Sequence, residues 1–333
     1  MAAPDPPRPW LLFAITPPRR STEPAEAQRI ADRTCARLRG LDLDALVIYD
    51  IDDESDRTSA ERPFPYLPTL DPGDFHARHL QAWDRPVIVY RSAGKHDPAA
   101  LGDWFAAQDP QRVRTVLVGA SSSDAAVRTT LSQAQRLRRE HAPDLPLGGV
   151  AIPERHASRG DEHERMRAKQ AAGVSFFVTQ VVYDVGAAKS MVSDYHYACG
   201  DAGQPTVPVV FTLSVCGSAR TLAFLEWLGV HVPGWMRNDL RHTDDPLGTS
   251  YDQCVAIAED LAQFCTRHRI PYGFNVESVS IRRAEIEASV RLAAHLRARL
   301  DADARGRVGG DGTDRPVQAA AASASSTPGQ PRS

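Results

Sequence analysis

Residues 149–184 read GVAIPERHASRGDEHERMRAKQAAGVSFFVTQVVYD. The apolar run LGGVAI (147–152) ends in Pro-Glu-Arg-His. A polar stretch with helical character follows over 161–172, and VSFFVTQVV (174–182) restores the apolar character. Both runs are short and rich in branched or aromatic residues. Each reads as a strand buried on both faces, as strands of a parallel sheet are. Parallel neighbours need a crossover connection, and the stretch between them has the length and polarity for one.

The same unit recurs along the chain. Strand-like runs are WLLFAIT (10–16), ALVIY (45–49), PVIVY (86–90), VRTVLVG (113–119), VPVVFTL (207–213) and YGFNVES (272–278). Helix-like stretches lie at 23–38, 97–107, 123–140, 161–172, 186–199, 218–228, 251–268 and 282–300. Asp97-Pro98 and the SSSD at 121–124 act as start signals. Eight such repeats predict an α/β fold, a single (β/α)8 TIM barrel over residues 9–300, close to the usual size of about 250 residues plus insertions. The rival, an open doubly wound sheet, is weakened because no G-x-G-x-x-G follows a strand. The longest interruption, 232–250, is expected to add a short helix over the barrel mouth. Residues 1–8 are expected to be a flexible N-terminus. Residues 301–333, small, polar and rich in Gly, Pro and Ser, are expected to be a disordered tail.

Composition narrows the function. The formal charge of −3 argues against a nucleic-acid partner. No apolar run approaches the roughly 20 residues of a membrane helix, so no membrane contact and a cytoplasmic location are expected. The five cysteines are odd in number and show no C-x-x-C spacing, which suits free thiols in a reducing compartment.

In such a barrel, chemistry sits where strands end and loops begin. Gln180 is placed in a run of Phe, Val and Tyr. A buried amide needs partners, and its acceptor and two donors suit a flat heterocycle; the plain alternative is a glutamine satisfied by its neighbours. Five carboxylates lie between Asp50 and Asp56. Most read as a solvated loop, their spacing matches no calcium loop, and one of them, if buried, would make a general acid. Glu277 and Asn275 lie on the last strand. His156 follows strand five, where a lone histidine is usually a structural hydrogen-bonder. Lys169, one of three lysines, lies before strand six and otherwise reads as a surface charge. No catalytic triad or zinc spacing stands out, so no metal is expected.

In order, these motifs resemble the methylenetetrahydrofolate reductase family: Pro17-Pro18-Arg19, Glu54-Ser55-Asp56-Arg57-Thr58, Ala151-Ile152-Pro153-Glu154-Arg155-His156, Lys169-Gln170-Ala171-Ala172-Gly173, Thr179-Gln180-Val181-Val182-Tyr183-Asp184 and Val230-His231-Val232-Pro233-Gly234-Trp235-Met236. The resemblance implies a barrel that reduces 5,10-methylenetetrahydrofolate to 5-methyltetrahydrofolate with NAD(P)H, in the commonest form through FAD. It implies folate contacts at Gln180, Thr179 and Tyr183, and cofactor contacts at Thr58, Tyr90, His156 and Lys169. Four departures accompany it. The family's strand-one glutamate, the proton donor to the folate nitrogen, is Ala14. Its R-G-D after strand four is Gly119-Ala120-Ser121, its strand-three histidine is Tyr90, and the arginine before its lysine is Ala168. FAD contacts are thus eroded while the pterin-side glutamine stays. The chain looks closer to the branch that passes hydride directly from NAD(P)H to folate, with Glu54 and Glu277 as candidate acids. The alternative implied is a diverged paralogue that binds a folate or another one-carbon carrier with altered or no reductase activity; a purely binding barrel is a third reading.

Overall fold

The computed structural model describes residues 8–53, 60–119 and 127–309. Eight parallel strands close into a barrel in chain order: β1 (Trp10–Ile15), β2 (Ala45–Ile48), β3 (Val87–Ser92), β4 (Val113–Val118), β5 (Leu147–Ala151), β6 (Val174–Val181), β7 (Val209–Ser214) and β8 (Tyr272–Glu277). The closure is β8 against β1, with Trp10 opposite Gly273 and Phe13 opposite Val276. The expected (β/α)8 architecture is therefore present.

The helices are α1 (Pro24–Leu38), α2 (Pro72–His79), α3 (Pro98–Ala106), α4 (Leu131–His141), α5 (Pro153–Arg159), α6 (Glu162–Ala171), α7 (Val185–Asp201), α8 (Ala219–Trp227), α9 (Gly234–His242), α10 (Pro246–Arg267) and α11 (Arg283–Gly309). The 232–250 interruption holds the expected short helix, α9. Helix α4 begins at Leu131; the expected start signal at 121–124 lies outside the described residues. Thr130 and Gln133 form a reciprocal capping box there, which satisfies two otherwise orphaned amides at once. The described residues reach a little past the expected barrel bounds at both ends. Helix α11 runs past Leu300 to Gly309. Arg8 pairs with Asp42 and Asp301.

Two cores result. The larger lies between strands and helices. The smaller fills the barrel with alternate strand residues, including Leu12, Ala14, Val47, Tyr90, Val116, Phe176 and Val178, as the period of two requires. Its floor is plugged by Trp10 and Phe176, ring centroids 5.4 Å apart. Two glycines make room for them. A Cβ on Gly148 would lie 2.5 Å from the Phe176 ring, and one on Gly273 would lie 2.6 Å from the Trp10 carbonyl oxygen. The five cysteines are free and buried, as expected. Among the described residues no helix is long and apolar enough to cross a membrane.

Candidate active site

Because Phe13 faces Val276 across the seam, the next positions along β1 and β8 are Ala14 and Glu277. The strand that would carry the family's acid ends in a methyl group, and its neighbour carries a carboxylate at the same height. Glu277 is only partly exposed. Its Oε2 accepts a hydrogen bond from Tyr49 Oη at 2.5 Å. Burial pushes the Glu277 carboxyl up to about 7, and the Tyr49 hydrogen bond opposes this only in part. Desolvation disfavours the charged form, which is how a carboxylic acid keeps its proton near neutrality.

Tyr49 is held on both sides. Asn275 Nδ2 donates to its oxygen at 2.9 Å and to Thr212 Oγ1 at 3.3 Å. Since Asn275 donates, the tyrosine proton must point at Glu277. That leaves Oε1 of the glutamate as the atom able to present a proton to a ligand. The Tyr90 ring stands edge-on to Tyr49, centroids 4.8 Å apart, and burial pushes both phenols well above their ordinary range. Asn275 Oδ1 and Ser214 Oγ are buried with no partner, and Ser214 is the β7 neighbour of Glu277. Buried polar atoms left unpaired in this way are costly, and they cluster where a ligand binds.

Gln180 lies farther round the rim. Its Nε2 donates to the Leu228 carbonyl at 2.7 Å, which fixes the amide and leaves its carbonyl and second N–H for a ligand. The chain passes so close here because Gly229 has φ +86°, a left-handed conformation that only glycine adopts freely. Leu228 and Gly229 also form one end of a cleft of about 540 Å³ that includes Glu61, Glu226 and Trp227. The cleft is roofed by the end of the long loop after β2. Trp227 Nε1 donates to the Ala60 carbonyl at 3.0 Å, and Arg220 donates twice to the Pro63 carbonyl. The Arg62 guanidinium lies over the Tyr66, Phe224 and Trp227 rings. Strands β1 and β8, which carry Ala14 and Glu277, stand between β2 and β7.

Of the residues singled out from sequence, Glu277, Tyr90 and Gln180 face the barrel mouth. Glu54 and Thr58 lie outside the described residues. Thr179 and Tyr183, expected on the substrate, are buried in the barrel wall with partners on β7. Thr179 Oγ1 accepts from the Thr212 amide at 3.0 Å, where the β6–β7 register shifts. Tyr183 is buried, with its hydroxyl donating to the Ser214 carbonyl at 2.8 Å. His156 Nε2 lies 3.1 Å from Asp194 Oδ2. Lys169 Nζ donates to the Val150 carbonyl at 2.5 Å and lies 3.7 Å from Glu162; burial lowers its pKa. The partners of these last two belong to α6, α7 and the end of β5, not to the cluster round Glu277. In the acidic loop, Asp50 accepts from the Ser92 amide and from Lys95 Nζ, each at 2.7 Å. Sequence reasoning missed Tyr49. Ala45, Val47 and Tyr49 share one face by the period of two, and that signal was available.

The barrel fold agrees with comparisons to known proteins. The sequence profile described as Methylenetetrahydrofolate reductase matches residues 119–271. A solved structure, an uncharacterized protein from Clostridium thermocellum that binds two copies of 5-methyl-5,6,7,8-tetrahydrofolic acid, is 38% identical, with a TM-score of 0.77. The match covers 87% of this chain and 95% of that one. The chain belongs to the methylenetetrahydrofolate reductase family. A xylanase of Paenibacillus barcinonensis, 12% identical over 81% of this chain and 84% of its own, has a TM-score of only 0.46 and adds nothing to the family assignment. No curated protein sequence matches the chain.

Proposed function

We propose that this protein reduces 5,10-methylenetetrahydrofolate to 5-methyltetrahydrofolate with hydride taken directly from NAD(P)H. The observation that carries the reading is Glu277. It is a carboxyl raised to about 7, at the mouth beside the vacant Ala14 position, with its proton directed by Tyr49 and Asn275. Glu277 gives its proton to the folate nitrogen as the bridging C–N bond breaks, leaving an iminium on the other nitrogen. Hydride from nicotinamide C4 then reduces the methylene carbon to a methyl group, and the nicotinamide is oxidised. Gln180 holds the pterin edge. The rest is positioning, with the reacting carbons brought to roughly 3–3.5 Å.

The described residues do not fit FAD well. By resemblance, Tyr90, Gly119 and Ala168 stand where the family has other residues on the flavin side, and His156 and Lys169 are bonded elsewhere. Direct transfer needs no such contacts. The test is the visible spectrum of the purified protein followed by NAD(P)H oxidation with methylenetetrahydrofolate. A colourless sample that forms 5-methyltetrahydrofolate is expected, and stoichiometric bound flavin overturns direct transfer. A second reading, a folate-binding paralogue without turnover, is favoured by the Clostridium thermocellum relative, which binds the methylated folate. Folate binding without NAD(P)H oxidation would select it. An enzyme of this kind would work in one-carbon metabolism in the cytoplasm.

A further inference from the structure

The turn between α5 and α6 brings two imidazoles together. Gly160, at φ +71°, ends α5 and reverses the chain, which places His163 on the first turn of α6 beside His156 on α5. The rings meet edge to face, centroids 5.4 Å apart at 84°. Asp194 approaches from α7, its Oδ2 3.1 Å from His156 Nε2. One ring nitrogen of each histidine and one carboxylate oxygen of Asp194 all lie within 4.8 Å of one another.

An ordinary histidine–aspartate hydrogen bond explains only one of these contacts. His163 Nδ1 is buried and has no partner, and His156, whose Nε2 faces Asp194, is 6% exposed as a whole. The neighbouring cations do not use these atoms. Arg155 and Lys169 face Glu162, and Arg165 faces Asp161. Two imidazole nitrogens and one carboxylate oxygen make a donor set for a borderline divalent ion of the zinc class. Zinc bonds to such ligands run about 2.0–2.2 Å, which sets adjacent ligands of a tetrahedron a little over 3 Å apart. The His156–Asp194 spacing already meets this. Asp194 is half exposed, so its side chain is free to close the remaining gap and to leave a fourth position for water.

We infer that His156, His163 and Asp194 form a binding site for a zinc-class divalent ion that ties α5, α6 and α7 together behind β6. The inference is independent of the proposed reductase activity and is measured without folate. Chelator-treated full-length protein is titrated with Zn²⁺ by calorimetry, and with Co²⁺ by visible spectroscopy, as wild type, His163→Ala and Asp194→Asn. A single zinc per chain is expected. Co²⁺ should give ligand-field bands without thiolate charge transfer, since the five cysteines lie elsewhere. Outer-shell partners of a metal already cost 10–100-fold in affinity when lost, so each variant should bind at least about 100-fold more weakly. Both are expected to keep the circular dichroism of the chelated wild type, and zinc should raise the Tm of the wild type alone. If His163→Ala does not fold, Asp194→Asn, at an exposed carboxylate, carries the test. No saturable zinc, affinity unchanged in the variants, or a thiolate signature with Co²⁺ overturns the site.

Discussion

Replacing Glu277 with glutamine keeps the volume of the side chain and an acceptor for Tyr49, but removes the proton that titrates. A positioned general acid contributes about 10²–10⁴-fold, so kcat for methylenetetrahydrofolate reduction should fall by that factor with KM little changed. The stability effect has the opposite sign. The unfolded carboxyl titrates near 4.5 and the folded one near 7. Below pH 4.5 both states are protonated and Glu277 costs nothing. Between 4.5 and 7 the unfolded chain releases its proton while the folded one holds it, so stability falls as pH rises. The loss is complete above the folded value. This displacement corresponds to at most roughly 3 kcal/mol, less where water at the mouth screens the charge. Glu277→Gln should therefore be more stable than the wild type at pH 8 and equal to it at pH 4.5, in urea denaturation monitored by circular dichroism. In the wild type, activity should decline as pH rises through about 7, because the active form is the protonated one. Full activity in Glu277→Gln, or loss of activity together with loss of stability at pH 8, would refute the assignment.

Gln180→Leu removes the amide that meets the ligand and should weaken folate binding about 10-fold, or ~1.4 kcal/mol, by calorimetric titration. Ala14→Glu places a second carboxylate beside Glu277; like charges disfavour joint ionisation, so the alkaline limb of the pH–rate profile should move upward and stability at pH 8 should drop. Gly273→Ala forces a Cβ to within 2.6 Å of the Trp10 carbonyl oxygen. Overpacking of this kind costs about 1–3 kcal/mol, seen as a Tm lowered by several degrees in calorimetry.

The barrel was legible because its strands are buried on both faces, and such runs stand out in sequence. The start of α4 was not, because SSSD and Thr130-x-x-Gln133 are both capping signals and local sequence does not choose between them. The site was legible only in part. Gln180 stood out as an amide in an apolar strand. Thr179 lies next to it in the same motif, but adjacent residues on a strand face opposite ways, and the backbone of β7 claims the threonine. From the sequence, Glu277 is a carboxylate at a strand end. Its standing as an acid rests on the seam that sets it beside Ala14 and on Tyr49, which is far away in sequence and looked like one more aromatic of a buried run.

The plugged floor bears on traffic through the barrel. Trp10 and Phe176, each opposite a glycine on the next strand, fill one end, and residues 60–63, fastened by Trp227 and Arg220, lie at the other. A vessel with a single neck admits and releases everything on the same side. A hydride donor and its acceptor would have to share that neck and be present together, so the order in which they arrive and leave becomes a property of the barrel's shape. Initial-rate plots that intersect, with each product inhibiting in a set sequence, are the kinetic trace that such a shape leaves.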